Sequence, residues 1–245
     1  MQLHGRAALV TGAGRRVGRA IAVGLGGRGM RVAVHFHGSQ AGAEETARLV
    51  SQAGGDAVLV RADLSDPDAP HGLATDAAQR LGGLDVLVNS AAVMERTPFG
   101  GTSAAAWDRI FAINLRAPYL LAQAAAPWLT AAPAGGAIVN VADLAAFETW
   151  PNYIPHGISK LGVVRLTESL ARVLAPAVRV NAVAPGTVLL PEGWTDADAG
   201  HLRDTTPLGR HGTPDDVVQA VLYLLDADFV TGETIVVDGG RRVRR

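Results

Sequence analysis

The sequence predicts an α/β protein: a seven-stranded, mainly parallel, doubly wound sheet with helices on both faces, forming one domain over residues 1–245. Three observations predict it. Short β-branched runs alternate with longer Ala/Leu-rich stretches of helical period from one end to the other. The strand candidates are continuous apolar runs, the pattern of strands covered on both faces. No linker, internal repeat or low-complexity segment divides the 245 residues, a length that one well-filled core suits.

In order, the strands fall at Ala7–Thr11, Arg31–Phe36, Ala57–Arg61, Asp85–Asn89, Ala137–Val141, Val178–Ala182 and Glu233–Val237, each rich in β-branched residues. Helical period places helices between them at about 16–28, 40–53, 67–81, 104–131, 155–174 and 214–226. Strand, helix and strand in regular alternation make parallel crossovers and a doubly wound sheet. The least regular stretch, 188–210, is rich in Pro, Gly and Asp. Following the sixth strand, it reads as a lid over a site at the strand ends.

With 48% hydrophobic and 18% charged residues, the chain is an ordinary globular one. A net charge of −1 points to neither nucleic acid nor membrane as partner, and the tail Arg241-Arg242-Val243-Arg244-Arg245 reads as a solvated end. There is no cysteine, which excludes disulfides, thiolate nucleophiles and cysteine-held metals. His4, His71, His201 and His211 are scattered without metal-ligand spacing, so no metal is expected. The start MQLHGRAALV is interrupted too soon for a signal peptide, and no apolar run reaches the roughly 20 residues of a membrane span. A cytoplasmic protein is expected.

The first strand runs into Thr11-Gly12-Ala13-Gly14-Arg15-Arg16-Val17-Gly18 and then a helix. Glycines there let backbone amides approach a pyrophosphate at a helix N-terminus, so Gly12, Arg15, Arg16, Val17 and Gly18 are candidate ligands of a dinucleotide. The alternative is a tight turn without a ligand. The second strand ends in His35-Phe36-His37-Gly38-Ser39, without the carboxylate that suits a ribose hydroxyl. Arg15, Arg16, His37 and Ser39 suit a 2′-phosphate instead, which favours NADP(H); the alternative is that both arginines are simply solvated.

These pieces together resemble the short-chain dehydrogenase/reductase family along essentially the whole chain. The match continues through Ala62-Asp63-Leu64, Asn89-Ser90-Ala91-Ala92, Asn114, Lys160, RVNAVAPGTV (179–188) and TGETIVVDGG (231–240). The resemblance implies a Rossmann-like fold, with Asp63 and Leu64 at the adenine and Asn89 and Ala91 lining the cofactor. Pro185, Gly186 and Val188 would meet the nicotinamide. NSAA stands where the family usually has NNAG. Arg16 in the glycine loop and HFHGS after the second strand resemble the pteridine-reductase-like branch.

The family's catalytic set is Asn, Ser, Tyr and Lys, the last two spaced Tyr-x-x-x-Lys. Asn114 and Lys160 match. His156 occupies the tyrosine's position, and Tyr153 lies three residues too early, about 60° off the expected helical spoke. Asp143 falls at the serine's position, again as in the pteridine-reductase-like branch. Lys160 is the only lysine among 22 basic residues, and a planar guanidinium could not replace a compact ammonium beside the nicotinamide ribose. Residues 156 and 160 share a helix face. Lys160 and an oxidised nicotinamide disfavour an imidazolium at His156, whereas Asp143 favours it, so Asp143 and His156 are expected to act as a coupled proton donor.

Three function classes follow: an NADPH-dependent reductase, a cofactor-binding relative with impaired catalysis, or a scaffold that binds no cofactor. Glu148, Trp150 and Trp194 are expected to wall the substrate pocket. Met94 falls where pteridine reductases stack an aromatic ring, so a pterin-like C=N and a carbonyl such as a 3-oxoacyl thioester both stand as substrates. The resemblance implies a homotetramer or homodimer assembled through 104–131, 155–174 and the last strand.

Overall fold

The computed structural model describes residues 2–190 and 195–243. Seven strands are present: β1 (Ala7–Val10), β2 (Arg31–Phe36), β3 (Asp56–Arg61), β4 (Val86–Asn89), β5 (Gly136–Val141), β6 (Val178–Pro185) and β7 (Thr234–Val237). They form one sheet in the order β3-β2-β1-β4-β5-β6-β7. Every pairing is parallel, so the sheet is wholly rather than mainly parallel.

The alternation of side chains along β1 shows why the sheet is covered twice. Ala8 and Val10 face one layer, with α1 (Arg16–Gly26), α2 (Gln40–Gln52) and α8 (Pro214–Asp226). Ala7 and Leu9 face the other, with α3 (Ala69–Leu81), α5 (Ala117–Thr130) and α6 (Ile154–Leu174). All four β1 residues are fully buried. The winding direction reverses between β1 and β4, which opens a crevice beyond their C-terminal ends.

Two departures from the sequence pattern matter for the site. The expected helix over 104–131 is α4 (Ala104–Phe111) and α5 joined by a π-helical turn at Ala112–Arg116, and Asn114 lies in that turn. The lid segment contains α7 (Asp196–Asp204), started by a capping box in which Asp198 accepts from Thr195 N at 2.8 Å. In addition, β6 runs on from Ala182 to Pro185, which pairs with Val237, and a 3-10 turn follows β5 at Leu144–Ala146. Among the described residues no helix is long and apolar enough to cross a membrane, and no group of His, Asp and Glu could hold a metal ion.

Candidate active site

A cleft of about 780 Å³ follows the C-terminal ends of the strands from β2 across to β6. Its phosphate half is built on the loop after β1. Gly12 has φ 65°, and a Cβ there would stand 2.8 Å from the Ala91 Cα; a Cβ on Gly18 would stand 2.4 Å from the Gly12 carbonyl oxygen. Both positions therefore require glycine, and the loop can lie flat against the turn after β4. That turn is fixed in its own right, because Thr11 Oγ1 accepts from the amides of Ser90 and Ala91 at 3.0 Å each. Arg16 has φ 52°, a left-handed conformation that a side chain disfavours.

Three side chains hold the loop from behind. His35 Nδ1 accepts the Gly12 N–H at 3.1 Å while Nε2 lies 3.2 Å from the Ala62 carbonyl, which fixes a neutral Nε2–H tautomer. Burial pushes the His35 pKa down to about 4; the Ala62 hydrogen bond opposes this and the neighbouring His37 adds to it. Thr46 Oγ1 donates to Ala13 O at 2.9 Å, and Arg19 Nη2 donates to Gly14 O at 2.7 Å. With these carbonyls held inward, and no side chain capping the first turn of α1, that turn's amides are left for an anion. Arg15, Arg16, His37 and Ser39 rim this half. His37 lies 3.9 Å from the Asp63 carboxylate, whose pKa is lowered chiefly by the Ser65 amide and hydroxyl.

The other half is set by α6. His156 and Lys160 lie one turn apart and are both buried, 2% and 3% exposed. Lys160 Nζ donates to Val141 O at 2.7 Å. Burial lowers the Lys160 pKa to about 8, opposed by the Asp143 carboxylate. Asp143 Oδ1 accepts from Ala145 N at 2.8 Å, and Oδ2 faces His156 Nε2 at 3.5 Å, an ion-pair distance. Nε2 itself has no hydrogen-bond partner.

All the sequence-predicted site residues line this cleft except Asn89 and Asn114. Asn89 was expected to line the cofactor, but it is buried and its amide turns sideways to donate to Asn140 Oδ1 at 2.9 Å. Asn114 stands one layer behind: the π turn aims its amide at Val93, accepting from Val93 N at 2.8 Å and donating to Val93 O at 3.0 Å. Trp150 lines the cleft, and Glu148 accepts from its indole N–H at 3.1 Å without reaching the wall. Trp194 lies outside the described residues. Sequence reasoning passed over His35, Arg19 and Thr46. A histidine inside an otherwise apolar strand was the available signal, since a buried imidazole must find partners.

A family model described as enoyl-(acyl carrier protein) reductase matches residues 12–242. The chain is 34% identical over 245 residues to 3beta-hydroxysteroid dehydrogenase 1 of Eggerthella lenta, covering 97% of this chain and 94% of that protein. It is 34% identical over 242 residues to the 3-oxoacyl-(acyl-carrier-protein) reductase FabG of Staphylococcus aureus, covering 96% and 97%. Among solved structures, FolM alternative dihydrofolate reductase 1 from Brucella canis, complexed with NADP, superposes with a TM-score of 0.92 at 32% identity, covering 100% of this chain and 96% of that one. Agreement over nearly the full length in sequence and in fold, around a glycine-loop cleft, means that the chain belongs to the classical short-chain dehydrogenase/reductase family of oxidoreductases.

Proposed function

We propose that the protein is an NADP(H)-dependent reductase that transfers a hydride to a carbonyl or pterin-like C=N group, using Asp143, His156 and Lys160 where the family usually has Ser, Tyr and Lys. The observation that carries this reading is the pair of buried His156 Nε2 and half-buried Asp143 Oδ2, 3.5 Å apart on the cleft wall one helical turn from Lys160.

The free amides at the start of α1 and the two glycine contacts fit a pyrophosphate. Arg15, Arg16, His37 and Ser39 would take the 2′-phosphate, Asp63 and Leu64 the adenine, and Pro185, Gly186 and Val188 the nicotinamide. The bound dinucleotide supplies the hydride. Lys160 is the nearby ammonium for the nicotinamide ribose, with Val141 O taking one of its three protons. Asp143 and His156 together keep one proton at the heteroatom of the reducible group. Asn114, tied to Val93 and Ser159, positions His156.

A second reading, a cofactor binder with weakened turnover, draws on the 2% exposure of His156, which leaves the imidazole little freedom to follow a substrate. NADPH binding by fluorescence, followed by turnover on a panel of carbonyls and pterins, tests both. The reductase reading expects turnover that falls at least about ten-fold in His156→Phe, the size of a general acid–base contribution or less. A large gain in His156→Tyr would favour the second reading. The pteridine-reductase-like branch is supported by Asp143 and by the FolM likeness. A homotetramer is supported by the open groove between α4, α5 and α6, where Tyr119 is exposed; light scattering tests it. A cytoplasmic setting completes the proposal.

A further inference from the structure

The hydrogens around His156 can be counted one by one. Asn114 Oδ1 accepts from Val93 N at 2.8 Å, which fixes which end of that amide carries hydrogen. Its two N–H groups go to Val93 O at 3.0 Å and Ser159 Oγ at 3.1 Å. Ser159 Oγ–H in turn donates to His156 O at 2.7 Å. Asn114 therefore has no hydrogen left for His156 Nδ1, which it approaches only at 3.4 Å. The remaining neighbour of Nδ1 is Val93 O at 3.2 Å, a pure acceptor. Nδ1 therefore carries a hydrogen, and it is the neutral imidazole that presents a bare lone pair at Nε2.

That lone pair faces the Asp143 carboxylate at 3.5 Å and has no other partner. A buried Nε2 and a partly exposed Asp143 Oδ2 thus point at one spot on the cleft wall. Leaving the buried Nε2 without a donor is costly. A carbonyl oxygen would be a third acceptor there. Two carboxylates lie near the spot, opposed by the Lys160 ammonium, which interacts with Asp143. Asp143 lines the wall, and Glu148 lies behind Trp150, accepting its indole N–H at 3.1 Å and enriching the ring that lines the cleft. Of the nearby cations, Lys160 is buried on Val141 O and Arg242 lies over the Phe147 ring at 5.0 Å. Arg15 and Arg16 belong to the phosphate loop, and Arg109 is paired with Glu95.

We infer that the reducible group is a protonated C=N, an iminium cation whose N–H is received between His156 Nε2 and Asp143 Oδ2, with its ring against Trp150. This rests on the reductase reading and selects between its two substrate classes. The step balances without a proton donor. The hydride of NADPH adds to the iminium carbon, the C=N π pair becomes the nitrogen lone pair, and NADPH leaves as NADP⁺ beside a neutral amine. A tyrosine hydroxyl, required to protonate an alkoxide, has no task in this step, and two acceptors do.

The test uses the full chain saturated with NADPH. The 1,2,3,4-tetrahydroisoquinolinium cation and isochroman, in which oxygen replaces NH₂⁺, are not reducible and are titrated by calorimetry. The cation is expected to bind at least about ten-fold more tightly, and Asp143→Asn is expected to erase the difference with NADPH affinity unchanged. In turnover, 3,4-dihydroisoquinoline is expected to exceed 1-tetralone at least about ten-fold in kcat/KM. Equal binding of the two ligands, with the ketone as the better substrate, overturns the iminium assignment and leaves the reductase standing. NADPH binding with neither compound reduced overturns the assignment together with the reductase reading.

Discussion

Lys160 shows at the scale of one residue how a site strains against the fold that holds it. Burial lowers its pKa from 10.5 to about 8, so between those values the unfolded chain binds the proton that the folded one releases. Stability therefore rises with pH through that window. Wild type is expected to gain roughly 3 kcal/mol relative to Lys160→Met between pH 8 and 10.5 in urea titrations. His35 has the same sign at lower pH. With its pKa pushed down from 6.5 to about 4, its contribution is complete above pH 6.5 and is lost as pH falls toward 4. Wild type is expected to lose up to about 3 kcal/mol relative to His35→Gln across that interval, with NADPH affinity declining as the Gly12 N–H loses its acceptor. Lys160 was legible in the sequence because it is the sole lysine in a chain of arginines. His35 was not, because its work depends on Ala62 and Gly12, partners that only the folded sheet brings to it.

Among the elements, the glycine loop and the π turn carry the site's precision. In Gly18→Ala the new methyl would meet the Gly12 carbonyl at 2.4 Å, so the loop must lift; NADPH affinity is expected to fall at least about ten-fold by fluorescence titration. Arg16→Gly relaxes the φ of 52° while removing a guanidinium from the phosphate rim. It is expected to shift stability by no more than about 1 kcal/mol while weakening NADPH markedly and NADH little, a split that calorimetry resolves. The strands and main helices were readable from apolar runs and helical period, because in a doubly wound sheet the same burial that fixes a strand also writes its composition. The π turn was not readable: Ala112-Ile113-Asn114-Leu115-Arg116 continues the helical run without a Gly or Pro, and the extra residue shows only when Asn114 must reach Val93. α7 was missed because few apolar residues mark it and its capping box uses aspartate at the position where glutamate is usual.

For the whole molecule, the order β3-β2-β1-β4-β5-β6-β7 puts Ala8 beside Val86 at the centre of the sheet, although three helix-containing crossovers separate them in sequence. Each half of the chain supplies only one wall of the cleft: the glycine loop from one, His156 and Lys160 from the other. NADPH at 100 times its Kd is expected to raise stability by about 2.7 kcal/mol in one cooperative transition, readable as a single shifted melting curve. A bound dinucleotide lying across that join works like a bolt through two plates. Loosening either half costs the bolt its grip, so occupancy is expected to slow the opening of both halves alike in hydrogen exchange, including the paired amides of β1 and β4 at the centre of the sheet.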